Sequence, residues 1–510
     1  MALKNWDANY LIELLAKPQK GELNYDGIES PLTRLEALRE LKRLETAGIL
    51  SKPERRYGVN VHIHTSESFS VFRSPSEAAW VGYRSGIEIL GINDHYTIDG
   101  HKEFKEACKI LGLKATFNIE AMAMSQEAKN EGARYNDPKN PGRVYLCGKG
   151  ITRNLKPGSA SDKLLQTMRR AFRERCREMT EKASIFLSQF DPFLKLDFEE
   201  VLKFTPRGNV TERHVAQAIA EKLKKRFSKT EELKEFLAML LGDFDEAALQ
   251  REDKFQDLIR NTLLKAGGPA YVEEPPEAFP SIESIVKLFL DYGAIPTYPV
   301  LGNPITEREA DLDKLLDELE DYKIYAIEVI PKRNTRERLS EILITAKRHG
   351  FPVFNGTEHN TKTHEPLIDE FSADPEFAPI FREGACLILG HQILAEYAGK
   401  GYVDNNGKLS FNERKFGISF FSFAGKIIWS EEALQWLSKI GETNTLKVVL
   451  GLHSVFSDNS AKEFWVKPGF EVPKRILDRI VIKEDRACFK DEDAKISFER
   501  IAKDLVVPKS

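Results

Sequence analysis

The stretch Val61-His62-Ile63-His64-Thr65 decides how the rest of the chain is interpreted. Side chains two residues apart on a β-strand point to the same side, so His62 and His64 are expected to project together from a strand end. Neutral histidine is the commonest protein ligand of divalent metals near neutral pH, and the pair therefore predicts a metal site. Many His-x-His pairs bind nothing, so this prediction depends on what the later strands carry.

Four later segments share the form of a short apolar run with acidic or imidazole side chains at or near its end: residues 89–95, 114–120, 325–330 and 351–359. Those side chains are Asp94, His95, Glu120, Glu328, Glu358 and His359. Such runs, alternating with helical stretches, are typical of a closed parallel sheet, in which functional groups converge at the C-terminal ends of the strands. Taken singly, each group is also consistent with a satisfied core histidine or a solvated carboxylate.

In order along the chain, these motifs resemble those of the polymerase-and-histidinol-phosphatase (PHP) superfamily of metal-dependent phosphoesterases: His62-x-His64-Thr65, Asn93-Asp94-His95, Ile119-Glu120 and Gly356-Thr357-Glu358-His359. The resemblance implies an α/β fold, a distorted TIM-like (β/α)7 barrel that holds up to three divalent ions. It is strongest over residues 57–150 and 276–375. Residues 208–219 are similar to a helix start in the insertion of the nucleoside bisphosphate phosphatase branch, although Arg213 and His214 are adjacent here.

The resemblance also implies a set of metal ligands: His62, His64, Glu67, Asp94, His95, Glu120, Glu358 and His359. Mixed imidazole and carboxylate ligands suit Zn, Mn or Fe. Tyr145 and Tyr298 stand where the family has histidines, and a tyrosine hydroxyl with a pKa of about 10 is a poor ligand at neutral pH. The number of ions, from one to three, therefore stays open. Asp94 either binds metal or orients His95 from behind.

Catalytic and substrate-binding roles follow from the same resemblance. Arg213 and His214 are predicted to clamp an anionic group at a helix N-terminus. His359 is predicted to protonate the leaving oxygen, because its usual pKa range suits acid catalysis near neutrality. The predicted substrate contacts are Arg134, Arg143, Lys149, Arg213, Tyr145 and Tyr298. The loop 134–143 is also consistent with a plain surface crossover.

Changes in pattern divide the chain into five parts: an N-terminal helical cap at 1–56, the barrel at 57–150, a helical insertion at 151–275, the rest of the barrel at 276–375, and a C-terminal extension at 376–510. The cap is expected to pack on the barrel, with a partner-binding helix as the alternative. The insertion is expected to hold long helices, including one over 164–190. In the extension, the aromatic run 415–424 indicates a core or a dimer interface, and His391 and His453 are expected to be structural.

Composition excludes several classes of function. The 510 residues are 41% hydrophobic and 30% charged, with a net charge of −4. No broad cationic surface is expected to recruit a nucleic acid polymer or an anionic membrane. Five cysteines without a Cys-x-x-Cys motif, no leader-like N-terminus and no apolar run of 18 residues predict a reduced, cytoplasmic protein. A homo-oligomer stays open.

The sequence therefore predicts a metal-dependent hydrolase that acts on a small anionic metabolite, namely a phosphate monoester, through a metal-activated water. Two alternatives remain. The same barrel and ligands are compatible with amide or lactone hydrolysis or with isomerisation of a sugar acid. The missing family ligands are also compatible with a catalytically silent barrel that only binds a ligand or partner.

Overall fold

The computed structural model describes residues 7–17, 32–302, 304–456 and 463–508. Seven strands form one sheet in chain order: β1 Gly58–Ile63, β2 Ile87–His95, β3 Lys114–Met124, β4 Arg143–Lys149, β5 Ile295–Val300, β6 Ala326–Val329 and β7 Val353–Asn355. The described helices are α1 Ala8–Leu15, α2 Arg34–Thr46, α3 Pro75–Arg84, α4 His101–Leu111, α5 Gln126–Glu131, α6 Ala160–Ser188, α7 Phe198–Leu202, α8 Glu212–Arg226, α9 Thr230–Leu241, α10 Glu252–Ile259, α11 Ile282–Asp291, α12 Leu312–Asp321, α13 Arg336–His349, α14 Ala378–Ala398, α15 Arg414–Lys426, α16 Glu431–Ile440, α17 Glu442–Phe456, α18 Lys474–Leu477 and α19 Glu492–Leu505.

The seven strands form a nearly closed barrel. β1 pairs parallel with β2, β2 with β3, β5 with β6, and β6 with β7. At the C-terminal end of β1, Ile63 forms a parallel bridge with Glu358, which brings the two edges of the sheet together. The predicted α/β barrel class is therefore confirmed. The expectation of an entirely parallel sheet is wrong at β4, which is antiparallel to both β3 and β5. Met124 at the end of β3 lies opposite Arg143 at the start of β4, so the chain reverses its direction between these two strands.

Helix α14 closes the N-terminal end of the barrel. Gln392 Oε1 accepts a hydrogen bond from the Phe117 amide near the start of β3 at 3.1 Å. The preceding residue of this helix, His391, has its Nε2 2.7 Å from the carbonyl oxygen of Gly293, just before β5. A helix seated across the strand starts leaves the opposite end, where the strands finish, as the open mouth.

Helices α14 and α15 cross at two glycines. A β-carbon on Gly390 would lie 1.8 Å from the Phe421 carbonyl oxygen, and one on Gly425 would lie 1.9 Å from the Cys386 carbonyl oxygen. Only glycine allows this approach. Phe421 belongs to the same hydrophobic cluster as the barrel strands, so the core interpretation of the aromatic run is confirmed.

The buried His391 makes a prediction about acid stability. Its Nδ1 accepts from the Tyr402 amide at 2.8 Å, and burial lowers the pKa of His391 to about 4. In the unfolded chain its pKa returns to about 6.5, so the unfolded state binds more protons between these values and stability falls as the pH drops below 6.5. Through this residue, a fall from pH 6.5 to pH 5 should lower the free energy of unfolding by about 2 kcal/mol. We expect His391→Gln to flatten the pH dependence measured by urea unfolding by that amount; an unchanged slope would contradict this assignment.

The insertion has a hydrophobic cluster of its own. Its buried side chains include Val215, Ile219 and Phe255 from α8 and α10. The long helix predicted over 164–190 is observed as α6, Ala160–Ser188, and on this helix Met168 belongs to the cluster of the barrel. Helix α6 therefore joins the insertion to the barrel.

The two ends of the chain pack on the barrel. Leu38 and Leu44 of α2 belong to the same cluster as Leu90 of β2, as expected of a cap. Strands β8 Ile427–Trp429, β9 Phe464–Val466 and β12 Val506–Pro508 form one small sheet, and β10 Ile480–Lys483 pairs with β11 Arg486–Phe489. The rest of the predicted cap and extension, residues 1–6, 18–31, 457–462 and 509–510, lies outside the described residues. Within the described ranges, no helix is both long and apolar enough to traverse a bilayer.

Candidate metal centre

The paired histidines at the end of β1 are held by the closure of the barrel. The Glu358 amide donates to the His62 carbonyl oxygen at 2.9 Å, and the His64 amide donates to the Glu358 carbonyl oxygen at 2.8 Å. Both imidazoles lie inside the barrel and are fully buried, with their Nε2 atoms 3.2 Å apart. The two rings therefore project together, as the alternation of a strand predicts.

A carboxylate oxygen of β3 lies among three imidazoles. Glu120 Oε2 is 3.2 Å from His64 Nε2, 3.5 Å from His62 Nε2 and 3.4 Å from His95 Nδ1. The register of β2 and β3 sets His95 directly beside Glu120. Within the described chain, neither Glu120 Oε2 nor His95 Nδ1 has a hydrogen-bond partner, although both atoms are buried. Buried polar atoms without partners are rare, and these two are aimed at one point.

These four groups fit a divalent cation. Nitrogen and oxygen ligands lie about 2.0–2.1 Å from an ion such as zinc, so two ligand atoms of a tetrahedral site are about 3.3 Å apart. The separation of 3.2 Å between the two β1 nitrogens and those of 3.2–3.5 Å from Glu120 Oε2 to each of the three imidazole nitrogens agree with that value. His62, His64 and Glu120 form the compact part of the set, with ligand atoms all within 4.8 Å of one another. Three imidazoles and one carboxylate suit Zn, Mn or Fe. The residues that can hold the ion are His62, His64, His95 and Glu120.

The charges of these groups suit metal binding. Burial lowers the pKa of His95 to about 4 and lowers that of His64, so both rings present lone pairs at neutral pH. Burial alone would raise the pKa of Glu120, but the surrounding imidazoles, His95 first, outweigh it and hold the pKa well below its usual range. His64 and His95 therefore offer neutral nitrogens and Glu120 an ionised oxygen, whereas an ion that binds His62 has to displace a proton.

A buried ion pair stands behind His62. Its Nδ1 lies 2.8 Å from Glu328 Oε2, and the other oxygen of Glu328 lies 2.7 Å from Lys149 Nζ. Burial lowers the pKa of His62, but the Glu328 carboxylate outweighs burial and raises it well above the usual range. A carboxylate at Nδ1 retains the proton there, so Nε2 is the atom that faces a metal.

The loop after β7 brings another carboxylate to the mouth. Glu358 and His359 have φ angles of 64° and 59°, a conformation that costs non-glycine residues about 1–3 kcal/mol each and is concentrated at functional sites. Glu358 Oε2 accepts from Arg333, in the turn after β6, and from Asn360 Nδ2 at 3.2 Å. Burial raises the pKa of Glu358, but Arg333 outweighs it and lowers the pKa overall. The predicted ligand Glu358 therefore lies at the mouth, where it forms an ion pair with Arg333.

Asp94, a predicted ligand, is engaged elsewhere. Its two oxygens accept from the Thr65 amide at 2.7 Å, the Thr65 hydroxyl at 2.7 Å and the Ser68 hydroxyl at 2.6 Å. Asp94 therefore fixes the loop that follows β1. The nearer imidazole is that of His64, whose Nδ1 is 4.0 Å away, so the ligand assignment of Asp94 is corrected to a supporting role behind His64.

Glu67, another predicted ligand, binds the insertion. Its Oε1 accepts from Arg207, and its carbonyl oxygen accepts from Asn209 Nδ2 at 2.9 Å. The same Asn209 amide group donates to the His95 carbonyl oxygen at 2.9 Å. Burial raises the pKa of Glu67 to about 7, although Arg207 opposes this. Glu67 therefore joins the insertion to the mouth of the barrel, and its assignment as a metal ligand is corrected.

The two histidines predicted to act as acid or clamp are held by their own loops. His359 Nδ1 is 2.8 Å from the Thr357 hydroxyl, and its Nε2 is 3.0 Å from the Glu365 carbonyl oxygen. His214 Nδ1 accepts from the Thr211 amide at 3.0 Å, at the start of α8. Burial lowers the pKa of each to about 3. At neutral pH both rings are therefore uncharged, and they are held by contacts within their own loops. The roles of His359 as acid and ligand and of His214 as clamp stay predictions that these contacts do not support.

The predicted substrate loop is occupied by contacts within the protein. Arg134 pairs with Glu307 at the surface, which matches the surface-crossover alternative. Arg143 Nη2 is 2.6 Å from Glu274, and its guanidinium carbon lies 4.0 Å from the centre of the Phe279 ring. A carboxylate partner does not by itself exclude a substrate contact, so both assignments stay predictions.

Arg213 keeps a position at the mouth. Its Nη1 is 3.4 Å from Asp257 Oδ1, and its guanidinium lies 5.8 Å from the centre of the Phe69 ring. It interacts electrostatically with Tyr145, and 27% of its side chain stays exposed. Its role in binding an anion stays a prediction.

Register separates the two tyrosines. Cys147 pairs with Glu120 in β3 and with Thr297 in β5. Because side chains alternate along a strand, Tyr145 shares the inner face with Glu120, whereas Tyr298 points to the outer face. The assignment of Tyr298 as a substrate contact is therefore wrong, and that of Tyr145 stays a prediction.

The outward position of Tyr298 leads to a prediction for the variant Tyr298→Phe. The Tyr298 hydroxyl lies 3.2 Å from Glu309 Oε1 in the core, so its removal should lower the free energy of unfolding by about 1–2 kcal/mol and leave kcat/KM unchanged. Urea unfolding and steady-state kinetics measure the two effects. Tyr145→Phe is the matched control, with its effect expected on activity. A loss of activity in Tyr298→Phe at unchanged stability would contradict the register argument.

Sequence reasoning missed several groups of the site. Lys149, predicted above as a substrate contact, is the last residue of β4 and is fully buried against Glu328, so it is not open to substrate. Lys149 and Glu328 are each a charged side chain within an apolar run, and this pattern is the signal that could have indicated a buried ion pair. Arg207 and Arg333 lie in turns, and their spacing carries no such signal.

Comparison with known proteins finds similarity at the level of solved structures. One protein, from Bifidobacterium adolescentis and provisionally described as a metal-dependent phosphoesterase, is 18% identical with a TM-score of 0.42, over 65% of this chain and 98% of that one. An amidohydrolase from Chromobacterium violaceum, with bound sulfate and no metal, is 15% identical with a TM-score of 0.40, over 61% of this chain and 93% of that one. No protein-family model and no curated protein sequence matches this chain.

Proposed function

We propose that this protein is a metal-dependent hydrolase of the PHP type that releases phosphate from a small anionic metabolite. The observation that carries the proposal is the convergence of three imidazole nitrogens at the mouth of the barrel, each 3.2–3.5 Å from Glu120 Oε2: those of His62, His64 and His95. The order of the motifs along the chain, which resembles that of the PHP superfamily, supports the same proposal.

A divalent ion bound there would supply Lewis acidity to a phosphoryl oxygen and lower the pKa of a coordinated water. The side chains of the protein hold and orient the reacting groups. Glu328 keeps the Nδ1 proton of His62, and Asp94 holds the loop that carries His64. These supports keep the two β1 imidazoles aimed at the Glu120 carboxylate.

Arg333 and Arg213 are the groups that we assign to the anion. Their side chains remain 26% and 27% exposed at the mouth, whereas the metal-binding histidines of β1 are fully buried. Guanidinium groups match phosphate oxygens in pairs of hydrogen bonds, which orients the ester as well as neutralising it. Burial raises the pKa of Tyr145 above its usual range, so its hydroxyl stays protonated and can donate to a substrate oxygen.

The test is a metal-dependent phosphate-release screen. Protein stripped with a chelator is reloaded with Zn, Mn or Fe and mixed with sugar, nucleotide and amino-acid monophosphates. We expect release of phosphate from at least one class only after reloading. Metal binding without release from any ester would overturn the phosphatase assignment in favour of another hydrolysis or a silent barrel. Failure to bind any metal would overturn the whole proposal.

A further inference from the structure

We propose that the ammonium group of Lys149 stands where a second divalent ion would bind, so that the centre holds one divalent ion per chain. The inference rests on the proposed metal centre and goes beyond it, because it sets the number of ions and names the residue that limits it.

The ammonium of Lys149 is fully enclosed. Its Nζ lies 2.7 Å from Glu328 Oε1, 3.2 Å from Asn93 Oδ1 and 3.2 Å from the Val61 carbonyl oxygen. The side chain has no exposed surface. An ammonium has three donors, and here each donor has an acceptor. This arrangement holds the charge at one place beneath the histidines of β1.

The groups around the ammonium form a second potential set of metal ligands. His62, Cys147 and Glu328 each offer a ligand atom, these atoms lie within 4.8 Å of one another, and all three residues are buried. His62 also belongs to the set around Glu120. The two sets adjoin: the Nε2 atom of His62 belongs to the set around Glu120, and its Nδ1 atom lies 2.8 Å from Glu328 Oε2 of the second set.

Lys149 makes the second set unsuitable for a divalent ion. The charge of Glu328, the only carboxylate of that set, is already balanced by the ammonium. A divalent ion bound beside it would meet a like charge inside a region of low dielectric constant. Moving the ammonium away would leave a buried charge without its partner. The second position is therefore filled by a covalently attached monovalent cation.

Asn93 is oriented by the same ammonium. Because its Oδ1 accepts from Lys149 at 3.2 Å, its Nδ2 faces His62 Nε2 at 2.9 Å and Cys147 Sγ at 3.6 Å. Asn93 therefore adjoins both a nitrogen of the first set and the sulfur of the second, and its contact with His62 Nε2 has to open when the first ion binds. Lys149 disables the second set by its charge.

The first test measures the wild-type protein. Chelator-stripped full-length protein is loaded with Zn²⁺ or with Co²⁺, free metal is removed, and bound metal is counted by mass spectrometry. We expect one ion per chain, and a Co²⁺ spectrum without a thiolate-to-metal charge-transfer band. Two ions per chain, or a thiolate band, would overturn this inference and leave the proposed function standing. No bound ion would overturn the proposed function itself.

The second test removes the ammonium. We expect Lys149→Ala to bind two ions per chain and its Co²⁺ form to gain the thiolate band, which the additional change Cys147→Ala should abolish. Lys149→Gln, which nearly preserves the volume, serves if the alanine variant does not fold. Lys114→Ala is the matched control away from the metal centre, where the partly buried Lys114 pairs with Glu88 at 3.3 Å and with Glu463, and should keep one ion. A folded Lys149 variant that binds one ion without the band would overturn the inference.

Discussion

Replacing His64 by alanine is expected to remove the bound metal and to lower kcat/KM by at least about a thousandfold. His64 Nε2 is 3.2 Å from both His62 Nε2 and Glu120 Oε2, so its loss opens the ligand set on two sides. The metal-free fold should lose only about 1–2 kcal/mol, because outside the ligand set the ring contacts the Ser68 hydroxyl, at 3.2 Å. Metal content, kinetics and urea unfolding measure the three effects.

The matched control is His349→Ala. His349 lies at the end of α13 and binds Asp313 at 2.6 Å on the surface. This variant should keep its metal and its activity. Full metal occupancy in His64→Ala would show that the centre does not use this imidazole and would remove the basis of the hydrolase proposal.

Replacing Arg333 by alanine is expected to lower kcat/KM by about 100-fold, the loss of one charge-assisted pair of hydrogen bonds to an anion. Metal content should stay at the wild-type value, because Arg333 contacts Glu358 rather than the three imidazoles. Arg333→Lys should recover little activity, since an ammonium lacks the planar fork of a guanidinium. Kinetics with the substrate found in the screen, together with metal analysis, check the prediction.

Arg336→Ala is the control for Arg333. Three residues further on, Arg336 pairs with Asp374 and Glu376, and 46% of its side chain is exposed. Its removal should leave both kinetics and metal content unchanged. Wild-type kinetics in Arg333→Ala would exclude contact with the substrate. Loss of metal together with activity would instead place Arg333 among the supports of the centre.

Much of the candidate centre could be predicted from strand alternation and strand ends. The prediction that these groups lie together needed only two features of the sequence. These are the spacing of His62 and His64, and the positions of His95 and Glu120 near the ends of apolar runs. The predictions that the structure does not support concern residues whose surroundings come from other segments. His359 follows a strand end as predicted, but Thr357 and Glu365 take both of its ring nitrogens.

The tyrosines show the same limit. Tyr145 and Tyr298 look equivalent as polar residues near strand ends, and only the pairing of β4 with β3 and β5 assigns them to opposite faces. Register depends on hydrogen bonds between strands, and a shift of one residue exchanges the faces. No periodicity within one strand contains that information.

By itself, the sequence determined the barrel class, the helical insertion and the inward pair of histidines, because these follow from patterns set by covalent geometry over a few residues. Only the tertiary structure decided the direction of β4, the partners of Asp94 and Glu67, and the ion pair of Lys149 with Glu328. The physical reason is distance along the chain. Glu328 is 266 residues from the His62 that it orients, and such a contact exists only once the sheet has closed.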